Sequence, residues 1–279
     1  MGKKRANFRL QVMITLIILL LILISFIPIA LMIMLSFKTN AEVYGNFFAL
    51  PRRLNWGNYS SALGLLGKNM FNTVAVVAVA VAFTLVLSAA GGYVFARMNF
   101  PGKKGLYLLL MALLMTPGIL YLAPNYALIQ QYGIFNTWWA LILPWVSGGQ
   151  VLGIILCRNS VEALPMDLFE AAKLEGCGEI RTLIHITIPL IKPILSTVAV
   201  LKMVDYYNDF IWPMMVIESN SKQVITVAVR VFAASQSSGG GQIGPMFAGY
   251  VIATIPVFIL FLFTSRLYME GMTAGAIKG

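Results

Sequence analysis

Six apolar runs dominate this chain, each close to the roughly 20 residues that a helix needs to cross the hydrocarbon of a bilayer. They fall at 12–35, 70–95, 106–129, 138–156, 194–217 and 249–267. The pattern predicts an all-α, polytopic membrane protein with six transmembrane helices. Composition points the same way: 59% of the 279 residues are hydrophobic and 11% charged, whereas soluble domains carry about 25% charged residues. An ordinary water-soluble enzyme is therefore excluded.

The first run follows "MGKKRANFR", a layout that superficially matches a secretion signal. Its apolar stretch is far longer than the roughly 7 to 15 residues of a signal peptide, and no small-x-small cleavage site follows it. It reads as a retained helix after a short tail, 1–11. Six crossings leave both termini on one side, and Lys and Arg choose which. Lys3, Lys4, Arg5, Arg9, Arg97, Lys103, Lys104, Arg158, Lys173, Arg181, Lys192, Arg266 and Lys278 share that side. Lys38, Arg52, Arg53, Lys68, Lys222 and Arg230 face the other. Thirteen against six place both termini in the cytoplasm. Residues 12–267 then form the membrane domain, 157–193 a cytoplasmic loop within it, and 268–279 a cytoplasmic tail. The formal charge of +10 belongs to this topology and to anionic lipid, and gives no reason to expect nucleic acid.

Several segments carry finer expectations. The outer loop 36–69 is polar yet holds Phe47, Phe48, Trp56 and Tyr59, rings that suit the headgroup level. Short interfacial helices are expected there, either docking an external partner or capping the bundle. Pro117 and Pro124 interrupt the third span, and broken membrane helices are tolerated where they line protein or a water-filled cavity. In the fourth span, Pro144 and the GxxxG pair Gly149 and Gly153 fit either helix packing or a gating kink. The stretch "AASQSSGGGQIGPMF" before the sixth span reads as a mobile linker. No GxxxxGK[ST] occurs, so nucleotide would be held by a partner. Cys157 and Cys177 lack metal-ligand spacing and sit where thiols stay reduced; the lone His185 reads as a packed or surface residue.

The cytoplasmic loop is too long to be structureless in a compact protein. Pro165 can open a helix there, Asp167 and Glu170 suit its first turns, and Gly176 or Gly178 suits its end. Leu168, Ala171, Ala172 and Leu174 supply an apolar side. Small residues at Ala171 and Ala172 leave no bulk between the helix and whatever it lies against, which fits either a groove in a partner or the chain's own membrane domain. "EIRTLIHITIPLIKPIL", with Pro189 and Pro193, joins this helix to the fifth span.

"EAAKLEG" from Glu170, followed by Ile188, Pro189 and Pro193, resembles the EAA loop of permease subunits of binding-protein-dependent ABC importers. "GGYVFARMNFPGKK" from Gly91, "MTPGILYLAPNYALIQQYGIFNTWWALI" from Met115 and "YYNDFIWP" from Tyr206 resemble blocks of the carbohydrate-uptake branch, in particular its maltose MalG-type subunits. The resemblance implies a type I importer fold. Its partners would be a second permease subunit that is a different chain, two cytoplasmic ATPases that bind ATP and Mg, and an extracytoplasmic solute-binding protein. This chain would then be no enzyme and hold no cofactor. The resemblance also implies that Glu170, Ala171, Ala172, Glu175, Gly176 and Pro189 couple to an ATPase. Glu175 stands where aspartate is usual, Cys177 where a small residue is usual, and Tyr207 where tryptophan is common.

The fifth span places Lys202, Asp205, Asn208 and Asp209 within about two turns, and ionisable groups in hydrocarbon cost enough to need partners. Lys202 and Asp205 can pair on one face. With Tyr206, the residues Asp205, Asn208 and Asp209 are candidates for a sugar path; a purely structural Lys–Asp pair is the other reading. A secondary transporter or channel subunit for a small polar solute is the alternative function, and it leaves the EAA-like helix unexplained.

Overall fold

The computed structural model describes residues 2–237 and 241–276, with side chains for 10–236, 241–259, 261 and 262. Every regular element among them is helical. In chain order these are α1 (Gly2–Ser36), α2 (Asn40–Gly45), α3 (Gly57–Arg97), α4 (Lys103–Met115), a 3-10 turn (Gly118–Tyr121), α5 (Leu122–Gln131), α6 (Trp139–Glu162) and α7 (Asp167–Leu174). There follow α8 (Glu179–Thr182), a π turn (Leu183–Thr187), α9 (Ile188–Leu190), α10 (Lys192–Asn208), α11 (Ile211–Val216), α12 (Ile225–Ser237) and α13 (Ile243–Ala276). The chain divides into two compact units, Met1–Gly67 with Val229–Ile255, and Lys68–Ala228 with Pro256–Gly279.

In the first unit α1 is apolar on all sides, with Leu16, Leu20, Leu23 and Phe26 more than half exposed. A helix hydrophobic all round is built for lipid or for burial against protein. The expected interfacial helices reduce to one, α2. It opens on a capping box in which the Thr39 hydroxyl accepts from Glu42 N–H and Glu42 Oε2 accepts from Thr39 N–H. Glu42 Oε1 accepts from Arg52 N–H at 3.0 Å; these two backbone donors, Thr39 first, hold its carboxyl below the usual carboxylate range. Lys38 is buried, and its ammonium donates to the carbonyls of Asn46 and Phe47, each at 2.9 Å. Phe37, Trp56 and Tyr59 pack ring against ring, while Tyr44, Phe48 and much of Trp56 stay exposed, as suits headgroup level.

The second unit is organised by α3, α6 and α10, which meet where side chains are missing. A Cβ on Gly153 would strike the Ser88 hydroxyl of α3 and come within 3.3 Å of Val198 of α10. One on Gly149 would strike the Tyr206 hydroxyl. From the other side, a Cβ on Gly91 would lie 2.8 Å from Ile154, and one on Gly92 2.8 Å from Arg158 N. Small residues let backbones approach where lipid offers no hydrophobic drive for association, so the GxxxG pair is a packing device. Val76, Ala80, Leu141, Trp145, Trp212 and Val216 fill the core around this seam. At one end of the unit, residues 217–224 have no regular structure and are held by amides instead. Asn69 donates to the carbonyls of Asn220 and Gln223, Asn72 to those of Ser221 and Gln223. Asn136 accepts from the N–H of Glu218 and Ser219.

Among the described residues, three helices are long and apolar enough to cross a membrane: the Leu10–Ser36 part of α1, α3 and α6. Two bent pairs bring the total to as many as five if each is one span: 103–115 with 118–131, bent by 102°, and 179–190 with 192–208, bent by 79°. The chain is thus an all-α polytopic membrane protein, with corrections to the expected spans. The run 106–129 is not one helix; it breaks at Thr116, whose extended backbone precedes Pro117, and Pro117 offers no N–H to continue it. The run 194–217 ends as a helix at Asn208, because Asp209 is extended and α11 starts afresh. Part of the expected loop before the sixth span is α12, with Ile225, Val229, Phe232 and Ala233 buried at helical spacing. The linker expectation at Gly239 and Gly240 lies outside the described residues. Run 249–267 falls within α13, which is helical to Ala276.

If the glycine seam holds α3, α6 and α10 together, Gly149→Ala and Gly153→Ala should each lower the thermal stability of the detergent-solubilised protein. Overpacking of this kind costs about 1–3 kcal/mol. Gly148→Ala, where no atom lies within 4 Å of the added Cβ, should not lower the melting temperature, since alanine without a clash favours the helix.

Candidate functional site

The site has two parts, a short helix on the loop 157–193 and a cleft beside α6. Helix α7 forms where the residues suggest but is shorter, Asp167–Leu174, and Pro165 precedes its N-cap rather than opening it. Met166 is its N-cap, with Asp167 and Glu170 in the first turn and Lys173 in the last. Gly176 adopts φ +73°, and the pair Gly176 N–H to Lys173 C=O and Cys177 N–H to Ala172 C=O closes the helix as a Schellman motif. The two alanines part company. Ala172 is 5% exposed and Phe169 9%, both turned into the chain's own bundle. Glu170, Ala171, Lys173, Glu175 and Gly176 are exposed, and so are Leu168 and Leu174, the latter at 90%. Ala172 is therefore no part of an outward face. Pro189 is exposed in α9, just ahead of the bend.

What α7 rests on comes from α3. Arg97 Nη2 donates to the carbonyls of Val161 at 2.6 Å and Leu164 at 2.7 Å, and its guanidinium lies 4.0 Å over the Phe169 ring. The Tyr93 hydroxyl donates to Glu179 Oε2, and the Tyr93 and Phe169 rings stand 6.3 Å apart. Sequence reading counts Arg97 only as a basic residue at a helix end. A signal was present in "YVFAR", where Tyr93 and Arg97 are one turn apart on one face.

The cleft has a volume of about 410 Å³ and lies among the end of α4, the 3-10 turn, α5, α6 and α11. Its polar lining is Thr116, Tyr121, Asn125, Ser147 and Asp209, and Trp145 and Trp212 supply aromatic surface. One proline shapes it. Pro144 has no N–H for the carbonyl of Ala140 four residues back, and Trp212 Nε1 donates to that carbonyl at 2.8 Å. The Asp209 carbonyl, in the break between α10 and α11, accepts from Thr226 Oγ1 at 2.9 Å. The Asp209 carboxylate accepts from Trp145 Nε1 at 2.8 Å and from Trp212 N–H at 3.3 Å.

The four sequence candidates on the fifth span do not share one environment. Asp209 is in the cleft wall. Asp205 and Asn208 are exposed on α10, and Asp205 pairs with Lys202 at 2.8 Å. Tyr206 is 5% exposed, stacked on Trp145 at 5.3 Å between centroids and 6° between planes, and donates to the Trp145 carbonyl at 2.7 Å. It frames the wall and is not in the lining. Thr116, Tyr121, Asn125 and Ser147 were not expected; the breaks at Pro117 and Pro124 were their only trace in the sequence. Cys157 is buried in α6, Cys177 partly exposed, and His185 exposed. Among the described residues no three His, Cys, Asp or Glu side chains stand together as a metal site.

Residues 88–270 match the model of a family described as binding-protein-dependent transport system inner membrane component. The chain belongs to this family. It is a component of a transport system. A probable ABC transporter permease protein, YurM of Bacillus subtilis, is 31% identical over 255 residues, covering 90% of this chain and 83% of YurM. The diacetylchitobiose uptake system permease protein NgcG of Streptomyces coelicolor is 28% identical over 257 residues, covering 91% and 85%. In fold, this inner-membrane component matches a chain from the crystal structure of a bacterial ABC transporter involved in the import of the acidic polysaccharide alginate. That match has a TM-score of 0.83 at 20% identity, over 94% of this chain and 97% of the other.

Trp212→Phe should destabilise this transport component by about 1–2 kcal/mol, since it leaves the buried Ala140 carbonyl without a donor. Adding Pro144→Ala should recover most of that loss, because residue 144 then supplies the missing N–H. Equal melting temperatures for the single and double variants would show that the indole bond carries no such load.

Proposed function

We propose that this chain is the permease subunit of an ATP-driven, binding-protein-dependent importer for a sugar or oligosaccharide. It crosses the membrane six times with both termini cytoplasmic, as the thirteen-to-six bias of Lys and Arg supports. It forms half of the translocation path beside a second permease subunit of different sequence, resembling the MalG-type member of such a pair. Two cytoplasmic ATPases hold ATP and Mg, and an extracytoplasmic binding protein delivers the ligand. The uptake named for NgcG supports a carbohydrate ligand, as does a cleft that combines indole rings with Asn125, Ser147 and Asp209. Planar rings suit the C–H face of a sugar, and amides and carboxylates suit its hydroxyls. Asp209 contacts the ligand, Asp205 and Asn208 face the path or the second permease, and Tyr206 holds the wall.

The observation that carries this reading is α7. It is a short helix tied to the bundle by Phe169 and Ala172, and it leaves Leu168, Ala171 and Leu174 open with Glu170 and Glu175 at the rim. An exposed apolar strip on a firmly seated helix suits a groove in another protein. Glu170, Ala171, Glu175 and Gly176 make the docking surface; Ala172 supports it from beneath, and Pro189 sets the path away from it. Ala171→Trp should leave the amount of membrane-inserted protein unchanged and lower uptake by about tenfold or more, as the loss of an interface anchor does. Ala172→Trp should instead reduce the amount of folded protein. Normal uptake by the Ala171→Trp variant at unchanged protein level would sink the docking assignment.

A further inference from the structure

Helix α7 has two routes into the membrane bundle, and they differ in stiffness. The covalent one leads through α8, the π turn Leu183–Thr187 and α9 to Ile191, where the chain bends by 79° before α10. A π turn and a sharp bend are places where a helix yields. The other route is through side chains on α3. Arg97 donates to the carbonyls of Val161 and Leu164 at the end of α6, reaches Met166 Sδ at 3.2 Å ahead of α7, and covers Phe169 within it. One turn earlier, Tyr93 donates to Glu179, the first residue of α8. Both ends of the segment from 166 to 179 are thereby fastened to one face of α3.

That face has no slack behind it. Cβ atoms on Gly91 and Gly92 would strike Ile154 and Cys157, so α3 and α6 cannot shift toward each other. Helix α6 in turn lines the cleft with Pro144, Trp145 and Ser147.

We infer that Arg97 and Tyr93 are positioning residues that make α3, and through it α6, carry the movement of α7 to the cleft, with α10 following rather than leading. The inference rests on the proposed docking role of α7. Arginine suits the task because one planar guanidinium bonds two carbonyls while its face lies on a ring, which the compact ammonium of lysine cannot do. Its acceptors here are neutral carbonyls, a thioether and an aromatic face, all reached through the two terminal nitrogens and the plane of the guanidinium.

The test uses the complete transporter, with second permease, ATPases and binding protein, in proteoliposomes. It measures sugar taken up per ATP hydrolysed and the ATPase retained on purification. Arg97→Lys and Tyr93→Phe should keep the wild-type amount of ATPase and its hydrolysis. Uptake per ATP should fall by about tenfold in the Arg97 variant, the scale of a lost charge-assisted bond, and by less in the Tyr93 variant. Glu179→Gln combined with Tyr93→Phe should be no worse than Tyr93→Phe alone. His185→Gly, which softens the covalent route by giving the π turn a glycine's backbone freedom, should change the ratio by less than about twofold, since that route is not the one that carries the movement. Unchanged ratios in Arg97→Lys and Tyr93→Phe with the complex intact would overturn the inference, and so would a His185→Gly loss as large as that of Arg97→Lys. Should Arg97→Lys fail to assemble, Tyr93→Phe decides by the same ratio, because it removes one hydroxyl and keeps the ring. A wild-type complex that assembles with no ATPase and takes up sugar without ATP would overturn the proposed function itself, and with it any coupling role for the clamp.

Discussion

The closeness of α3, α6 and α10 is the constraint on which the second unit depends. Glycines 91, 92, 149 and 153 occupy positions where even one carbon would collide with a neighbour. In lipid, where apolar side chains gain little by leaving one set of hydrocarbon contacts for another, such close backbone packing is a main source of helix association. It also sets the place of everything else. Tyr206 reaches the Trp145 carbonyl because Gly149 leaves it room. Ile154 and Cys157 seat the end of α3, so that Arg97 arrives beside the end of α6 and the start of α7.

Broken helices then create the cleft, and each break leaves a backbone carbonyl that must find a donor inside the protein. Pro144 removes one N–H, and the Trp212 indole donates to the Ala140 carbonyl that it would have met; the Asp209 carbonyl, in the break between α10 and α11, accepts from the Thr226 hydroxyl. The same residues complete the wall, for Trp212 lines the cleft and Asp209 is held between two tryptophans. A site built this way is rigid where it touches the helix backbone, while Thr116, Tyr121 and Asn125 reach it from a segment bent by 102°.

The helical fold was legible because apolar runs of membrane length leave few choices, and α7 was legible because its acidic start, its Gly176 stop and its alanines agree with one another. The i, i+3 spacing also anticipated the Lys202–Asp205 pair. Other features were hidden for physical reasons. Hydropathy measures how oily a segment is and not whether it is straight, so the runs 106–129 and 194–217 looked like single helices. Which alanine of α7 faces inward depends on where Phe169 lands, and that is decided by Arg97, 72 residues earlier in the chain. The sharing of Asp205, Tyr206, Asn208 and Asp209 among an open helix face, the core and the cleft follows from the faces of α10 and from its end at Asn208, an end that the periodicity of the sequence does not announce.

The seated helix α7, the Arg97 clamp, the glycine seam and the cleft are joined by continuous contacts, and in the proposed importer they connect the docking helix to the ligand. The proposed importer uses that connection in one direction, driven by ATP bound to another subunit. The most direct measurement is uptake of labelled oligosaccharides into vesicles holding the chain with its co-purified partners, with ATP and the binding protein each supplied or withheld. The account predicts uptake only when both are present and no response to a proton or sodium gradient. Uptake driven by such a gradient, without ATP or binding protein, would contradict it.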